Sequence, residues 1–403
     1  MAYIFNNKVE YSDSPNLDAF GRLRVSTTSN LLDIKHTFDK NPLFVNEVTN
    51  GTATSILDIT NARVRMSVTN NGDYVIRQSK IRPEYQPGKS HLFEASFANL
   101  AIENNVIKRV GTFVSTTGSP YNTIFDGLFL ESNGVTNEIS FNIYKSGTSI
   151  FSASTLVWDN TEFDVSSLDW SQSHLMLVDY QWLGVGRMRF GLILSGQCYY
   201  FTEFTSANDI DTVYMSSPNQ PIRYEIKSSG GTGHLDMICS SISTEGIFNE
   251  LYILTSIIHS ATTTLSTSDV KYPYIGYRLK EGYVNVNPAL KNVSILNTSN
   301  DNYIMTVDYN PTLSSSPTWV GLDNSPFEYS LQNGTNTITS TYFIMSSTIG
   351  VAGTSAVTSA DFEQNQVKIG SNINGTRDEI WICLTPLGAN ATFTGSLNVR
   401  YFL

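Results

Sequence analysis

The sequence predicts an all-β protein in which an extended N-terminal arm precedes an antiparallel β-sandwich and a second β-sandwich follows. Apolar and polar residues alternate with period two along most of the chain, a pattern typical of half-buried antiparallel strands. Aromatic residues make up 12% of the chain, and their flat rings suit the pleated surface of a sheet. Because 403 residues exceed one ordinary core, we expect more than one domain.

The domain boundaries are predicted from composition. The polar run SATTTLSTSDVKY separates two parts of the chain that are rich in strand patterns, and such runs are typical of loops. Downstream of it, short strand patterns alternate with turn residues at the spacing of a sandwich. We therefore predict an arm over 1–45, a first sandwich over 46–259, a linker over 260–272 and a second sandwich over 273–403.

The clearest element is a β-hairpin within residues 173–194, SHLMLVDYQWLGVGRMRFGLIL. Apolar side chains occupy alternate positions on both strands, and they share one face only if the connecting loop has an odd number of residues. A three-residue loop over 183–185 meets this condition and offers Gly184 for the left-handed position. The residues expected on the apolar face are Met176, Val178, Tyr180, Trp182, Met188, Phe190, Leu192 and Leu194.

On the reverse face of this hairpin, the same register places Asp179 opposite Arg189 and Gln181 opposite Arg187. Cross-strand pairs of this kind contribute about 0.2 to 1 kcal/mol each. A solvated outer face explains the two arginines at least as well as a ligand role does. We assign the hairpin a structural role that is carried by Asp179, Trp182, Gly184, Arg187, Arg189 and Phe190.

A second hairpin is predicted from two alternating segments, 123–131 and 139–143. Asn133 and Gly134 lie between them, and both residue types tolerate positive φ. We therefore expect the hairpin turn at this dipeptide.

Charge and segment composition exclude several function classes. The net charge of -11 argues against a nucleic-acid groove, which needs clustered Lys and Arg. No stretch approaches the roughly 20 apolar residues of a membrane helix, and the N-terminus does not resemble a signal peptide. The cysteines Cys198, Cys239 and Cys383 form no metal-binding or redox pair, so we expect buried free thiols and synthesis in a reducing cytoplasm.

Catalytic and cofactor motifs are not found. The five histidines never approach the spacing of a zinc site, and the Gly88-Lys89-Ser90 segment has Pro83 where a phosphate-binding loop needs glycine. We predict no catalytic residue, no metal and no cofactor. A glycosidase needs two carboxylates across a cleft, and this alternative stays open for two sets: Asp126 with Glu131, or Asp159 with Glu162 and Asp164.

One region is locally basic and contains Arg77, Lys80, Arg82 and Lys89, with Tyr85 among them. A patch for a carbohydrate or an acidic partner is one interpretation. A cationic edge strand that discourages unwanted pairing explains it equally well.

The N-terminal segment NLDAFGRLRVS, residues 16–26, carries apolar anchors together with charged side chains. A catalytic role fails because no His, Cys or second carboxylate lies nearby in the sequence, whereas an anion site at the arginines stays open. We expect a docking arm that turns at Gly21, buries Phe20 and pairs an arginine with a carboxylate of its own sandwich or of a neighbouring subunit. The predicted docking residues are Asp18, Phe20, Gly21, Arg22 and Arg24.

Three segments resemble one known family. Residues 18–26, DAFGRLRVS, and residues 181–191, QWLGVGRMRFG, are similar to segments of structural proteins of tailed bacteriophages, and IGYRLK at 275–280 is a weaker echo. The resemblance implies a non-enzymatic virion component, in capsid decoration, neck, tail or fibre. Its implied partners are other virion proteins and copies of itself in a homo-oligomer, for example a trimer.

The central hairpin also looks like those of concanavalin-like jelly rolls, and such folds often bind sugars, although a fold does not fix a function. The alternative function is therefore an adhesin that recognises a host surface glycan. A polysaccharide depolymerase is a weaker third interpretation, because the sequence offers no catalytic constellation for it.

Overall fold

The computed structural model describes residues 2–5, 8–11, 17–19, 23, 27–115, 125–159, 163–246, 252–283, 286–349, 355–358, 369–388 and 391–402. The chain forms two compact units, Met1–Asn249 and Glu250–Leu403. In the described part of both units, all regular structure is β-strand except one short 3₁₀ helix at Val165–Ser167. This confirms the predicted all-β class.

The strands of the first unit are antiparallel throughout. They are β1 (Ala2–Phe5), β2 (Lys8–Tyr11), β3 (Thr28–Lys35), β4 (Val45–Asn50), β5 (Thr54–Asp58), β6 (Arg63–Val68), β7 (Tyr74–Ser79), β8 (His91–Ala98), β9 (Val106–Ser115), β10 (Phe125–Asn133), β11 (Glu138–Lys145), β12 (Thr148–Ser154), β13 (Ser173–Tyr180), β14 (Arg187–Leu194), β15 (Gln197–Thr205), β16 (Ile222–Ser228) and β17 (Gly233–Glu245).

Two large sheets make the first unit an antiparallel sandwich. The seven-stranded sheet has the order β12-β11-β10-β9-β16-β7-β4, and the eight-stranded sheet has the order β15-β14-β13-β8-β17-β6-β5, with β3 also on β17. Alternate side chains from both sheets fill one core, as period-two strands require. The core includes Met66, Phe93, Val110, Leu128, Phe141, Val178 and Phe190.

The predicted hairpin is β13–β14, and its register agrees with the prediction, because Asp179 lies opposite Arg189. The loop prediction is wrong in length, since β13 ends at Tyr180 and β14 begins at Arg187. Six residues, 181–186, therefore connect the strands. Gln181 leaves the ladder because its side-chain oxygen accepts a hydrogen bond from the Gly186 N–H, at 2.8 Å.

The second predicted hairpin is β10–β11, but its turn differs from the expected one. Positive φ occurs at Asn137 (58°), at the far end of the loop. Asn133 instead accepts hydrogen bonds on its side-chain oxygen from the N–H groups of Val135 and Thr136. Gly134 is needed for close packing, because a Cβ there would lie 1.7 Å from the carbonyl oxygen of Glu103.

The predicted domain limits need correction at both ends. The first sandwich begins before residue 46, because β3 pairs with β17. The boundary between units follows Asn249, ahead of the predicted linker over 260–272. The linker prediction is wrong for Ser260–Leu265. The Ser and Thr residues of this segment are typical of loops, yet the segment belongs to a 14-residue strand.

The second unit is formed by β18 (Tyr252–Leu265), β19 (Tyr272–Leu279), β20 (Pro288–Asn297), β21 (Tyr303–Leu313), β22 (Val320–Gly321), β23 (Phe327–Leu331), β24 (Ile338–Ile349), β25 (Ser355–Thr358), β26 (Glu379–Pro386) and β27 (Ala391–Phe402). Its sheets have the orders β18-β27-β20-β25 and β22-β23-β19-β26-β21-β24. A separate core fills the unit, including Tyr277, Val293, Val307, Phe327 and Ile382.

The three cysteines are free thiols, but only Cys383 is buried. Cys198 is half-buried and Cys239 is exposed, so the expectation of three buried thiols is wrong for these two. In the described residues, no helix is long and apolar enough to cross a membrane.

Candidate functional site

The N-terminal segment lies against the first sandwich through Leu17, Asp18 and Ala19. These three residues are 3%, 0% and 2% exposed, although a short segment has no core of its own. Leu17 forms an antiparallel bridge with Leu23. These three residues of the arm are therefore anchored to their own chain.

Arg189 of β14 holds this anchor. Its Nη2 donates a hydrogen bond of 2.7 Å to the carbonyl oxygen of Leu17 and another to the Asp179 carboxylate. Arg189 and Asp179 have side-chain exposures of 1% and 0%, so the ion pair is shielded from water. The Arg189 guanidinium also lies 4.2 Å from the ring centroid of Tyr200. A planar cation with several donors suits such a divided role.

The strand geometry around Arg189 explains how these groups meet. Asp179 and Arg189 are directly opposite in the β13–β14 ladder. On the next strand, the pairing of β14 with β15 shifts register between Phe190 and Gly191. At Gly191 a Cβ would lie 2.3 Å from the carbonyl oxygen of Tyr199, so only glycine allows β15 to approach this closely.

The loop of the hairpin, residues 181–186, is fixed to the segment at 212–215. Trp182 donates from its indole nitrogen to the Met215 carbonyl at 2.9 Å, and the Tyr214 hydroxyl donates to the Gln181 carbonyl at 2.7 Å. Gly184 has a φ of 73°, as the left-handed position requires. The loop is thus a packed structural element and exposes mainly Val185.

The remaining hairpin residues have separate environments. Phe190 is fully buried and stacks on Phe141, with ring centroids 4.7 Å apart. Arg187 is partly exposed and forms an ion pair of 3.4 Å with Glu203. The solvated interpretation therefore suits Arg187 and is wrong for Arg189.

Four of the predicted docking residues, Phe20, Gly21, Arg22 and Arg24, lie outside the described residues. Their docking role stays a prediction. Asp18 is described and fully buried beside the Leu17 anchor. Sequence reasoning placed the arm and the hairpin in separate roles, because nothing in a single sequence links a backbone carbonyl to a side chain 172 residues away.

The first carboxylate pair considered for glycosidase chemistry does not form. Asp126 and Glu131 are five residues apart on β10 and therefore point to opposite faces. Asp126 accepts hydrogen bonds from the N–H groups of Ser146 and Ser216, whereas Glu131 pairs with Arg109. In the second set, Asp164 caps the 3₁₀ helix and Glu162 lies outside the described residues.

Sequence reasoning missed a charged ladder across the seven-stranded sheet. Arg109 bridges Glu225 and Glu131 from adjacent strands, and Arg223 donates to both Glu225 and Gln78. Burial alone would raise the pKa of Glu225, but Arg223 and Arg109 lower it below its ordinary value. The i, i+2 spacing of Arg223 and Glu225 indicated a shared face, but the cross-strand partners could not be read from it.

The two arginines of the predicted basic patch are buried, whereas Lys80 and Lys89 are half-buried. Arg77 and Arg82 are 1% and 7% exposed, and Arg77 donates to Glu47 and to the Lys40 carbonyl. Both patch and edge-strand interpretations are therefore wrong for these arginines. β7, which carries Arg77, lies inside its sheet.

A pocket of about 410 Å³ lies at one end of the second unit. Its size falls within the range of small-molecule sites. The turn after β19, the turn before β23 and the end of β27 supply its lining, which consists of Lys280, Tyr283, Val286, Asn324, Ser325, Pro326 and Tyr401.

Tyr283 and Lys280 give the pocket its chemistry. Tyr283 is 49% exposed, unusual for so large a ring. Lys280 Nζ donates to the Leu322 carbonyl at 2.7 Å, which holds the ammonium group in place. The Ser325 hydroxyl accepts from the Phe327 N–H at 3.3 Å, which leaves its own hydrogen for a ligand.

These observations define the class of the molecule: a two-unit all-β protein whose first unit is an antiparallel sandwich with an anchored N-terminal segment. In the described residues, no group of three or more His, Cys, Asp or Glu could hold a metal ion. No family model matches the chain, and no curated protein matches it.

Several solved structures are similar to part of the chain. A legume lectin-like domain from Entamoeba histolytica is 12% identical, with a TM-score of 0.33, and covers 55% of this chain and 100% of its own. The carbohydrate recognition domain of Emp47p is 11% identical, with a TM-score of 0.35, over 55% of this chain and 97% of its own. A putative beta-glucanase from Mycobacterium abscessus is 12% identical, with a TM-score of 0.37, over 53% and 100%. Such low scores carry no argument about function.

Proposed function

We propose that the protein is a non-enzymatic structural component of a tailed-phage particle, acting through contacts with other virion proteins and with its own copies. The observation that carries the proposal is the anchored arm. Leu17, next to the DAFGRLRVS segment, binds Arg189 of the QWLGVGRMRFG segment. The residue that precedes the first segment resembling phage structural proteins thus contacts the second such segment, and this contact supports a shared structural role.

The N-terminal hairpin β1–β2 supports an assembly role. It forms a two-stranded sheet that pairs with no other strand in the described chain. An isolated two-stranded hairpin is marginally stable in water. Packing against a neighbouring subunit would stabilise it, while the Leu17 anchor keeps it close to the sandwich.

Removal of residues 1–16 tests this role, because the deletion takes away the hairpin and leaves the anchor intact. We expect the shortened protein to fold with an unchanged first unit and to enter particles poorly, as measured by protein content of purified virions. The matched control replaces Val185, which is exposed at a loop tip, with Ser and should enter particles normally. Full incorporation of the shortened protein would overturn the assembly role of the hairpin.

A second candidate function, recognition of a glycan, is favoured by the pocket in the second unit. An exposed aromatic ring beside hydroxyl and amide groups is suited to a sugar, whose ring has an apolar face and a polar edge. Binding to a glycan array that is lost in Tyr283→Ala tests it. If the intact protein binds no glycan, this function is excluded.

A further inference from the structure

We propose that the pocket in the second unit binds a pyranose sugar that carries a carboxylate, with the anion on Lys280 and the sugar ring against Tyr283. The inference deepens the candidate function of glycan recognition and rests on it. It names the charge that the ligand must have.

Lys280 has hydrogen-bond donors that the described residues do not use. A lysine ammonium carries three hydrogen-bond donors, and one of them is used by the Leu322 carbonyl. Within the described part of the chain, no carboxylate forms an ion pair with Lys280. The fixed ammonium therefore offers an unneutralised charge to the pocket.

The carboxylates next to the pocket residues in the sequence lie outside its lining. Glu281 and Asp323 are exposed and adjacent in sequence to pocket residues, yet neither lines the pocket. Among the described residues that line the pocket, Lys280 is the only charged one, although the chain has a net charge of -11.

The pocket has room and contact groups for more than an anion. A small anion such as phosphate would satisfy Lys280 but would leave Tyr283 and most of the 410 Å³ unused. The ring of Tyr283 offers a flat apolar surface, and Asn324 and Ser325 offer groups for hydroxyl recognition. A sugar acid uses all of these features together.

Calorimetric titration of the full-length protein tests the inference. The three ligands are methyl glucuronide, methyl glucoside and inorganic phosphate. We expect the glucuronide to bind on the order of tenfold more tightly than the glucoside, the difference that one charge-assisted hydrogen bond supplies. Phosphate should bind weakly or not at all. In Lys280→Gln the two sugars should bind alike, whereas Lys280→Arg should restore the preference.

Two controls separate the possible failures. Lys35→Gln changes an exposed lysine of the first unit and should leave all three affinities unchanged. Tyr283→Ala should weaken both sugars. If both sugars bind equally to the intact protein, glycan recognition stands and the preference for an acid is wrong. If phosphate competes fully with the glucuronide, the pocket is an anion site and the sugar is wrong. If no sugar binds, the glycan function of this pocket fails as well.

Discussion

At the scale of single residues, Arg189 joins the β13–β14 hairpin to the N-terminal segment. It forms an ion pair with Asp179 that is shielded from water, and it donates a hydrogen bond to the Leu17 carbonyl. Arg189→Ala would break the buried ion pair with Asp179, and removing one partner of a buried pair costs about 3 to 5 kcal/mol of unfolding free energy. Urea denaturation measures this loss of unfolding free energy for the whole unit. Hydrogen exchange measures it locally at β13 and β14.

Arg187 provides the matched control for that substitution. It lies two residues away on the same strand and face, but its pair with Glu203 is partly exposed. Exposed ion pairs contribute about 0 to 1 kcal/mol, so Arg187→Ala should change stability little. Equal losses in the two variants would show that burial of the Arg189 pair does not matter.

A second residue-scale prediction concerns His91 and the pH dependence of the unfolding free energy. Burial lowers the pKa of His91 from 6.5 to about 4, although a hydrogen bond with the Glu84 backbone acts in the opposite direction. As pH falls below 6.5, His91 binds a proton in the unfolded chain but not in the folded chain. The free energy of unfolding therefore declines down to about pH 4. Between pH 7 and 5 the loss from His91 is about 2 kcal/mol.

His91→Gln removes this titration and should make the dependence of unfolding free energy on pH less steep between 7 and 5, with the buried His36, whose pKa is also lowered to about 4, supplying a remaining slope. The replacement keeps a polar group near the Tyr180 hydroxyl, which lies 3.2 Å from His91 Nδ1. Chemical denaturation at several pH values gives the slope. An unchanged slope would mean that His91 is protonated in the folded protein.

At the scale of elements, the β13–β14 hairpin shows how far sequence reasoning reached. Period-two alternation of large apolar residues gave both strands and the pair of Asp179 with Arg189, because burial of one face leaves one register. The loop was predicted too short, because Gln181 forms a hydrogen bond within the loop that alternation does not encode. Contacts between distant elements, such as Arg189 with Leu17, have no local signal at all.

Two glycines of the first unit distinguish the cost of backbone strain from the cost of a steric clash. Gly184 and Gly196 both have positive φ, at 73° and 80°. A Cβ at Gly184 would lie 2.6 Å from the Thr212 carbonyl oxygen, whereas one at Gly196 would meet nothing within 4 Å. Gly184→Ala should therefore cost about 1 to 3 kcal/mol more than Gly196→Ala. Thermal unfolding of the two variants makes the comparison.

At the scale of the whole molecule, two separate cores predict two unfolding events. Each unit has its own cluster of buried apolar residues and its own pair of sheets. Calorimetry should resolve two transitions, and Arg189→Ala should lower only one of them.

Gly276 supplies the complementary substitution for the second unit. A Cβ on Gly276 would lie 2.6 Å from the indole of Trp381, which is fully buried. Gly276→Ala should lower the other transition only, while Gly321→Ala, where the nearest atom is 3.4 Å away, should lower neither. A single transition that moves with both Arg189→Ala and Gly276→Ala would show that the units unfold together.

The anchor at Leu17 has a consequence for the order of events during synthesis. The ribosome makes Leu17 172 residues before Arg189, and elongation at about 5 to 20 residues per second sets a delay of roughly 9 to 34 s. The delay is longer still for β3, because its partner strand β17 is synthesised after Arg189. The nascent N-terminus is therefore a temporarily unmatched segment that a chaperone or a neighbouring chain can reach before its own sandwich closes over it.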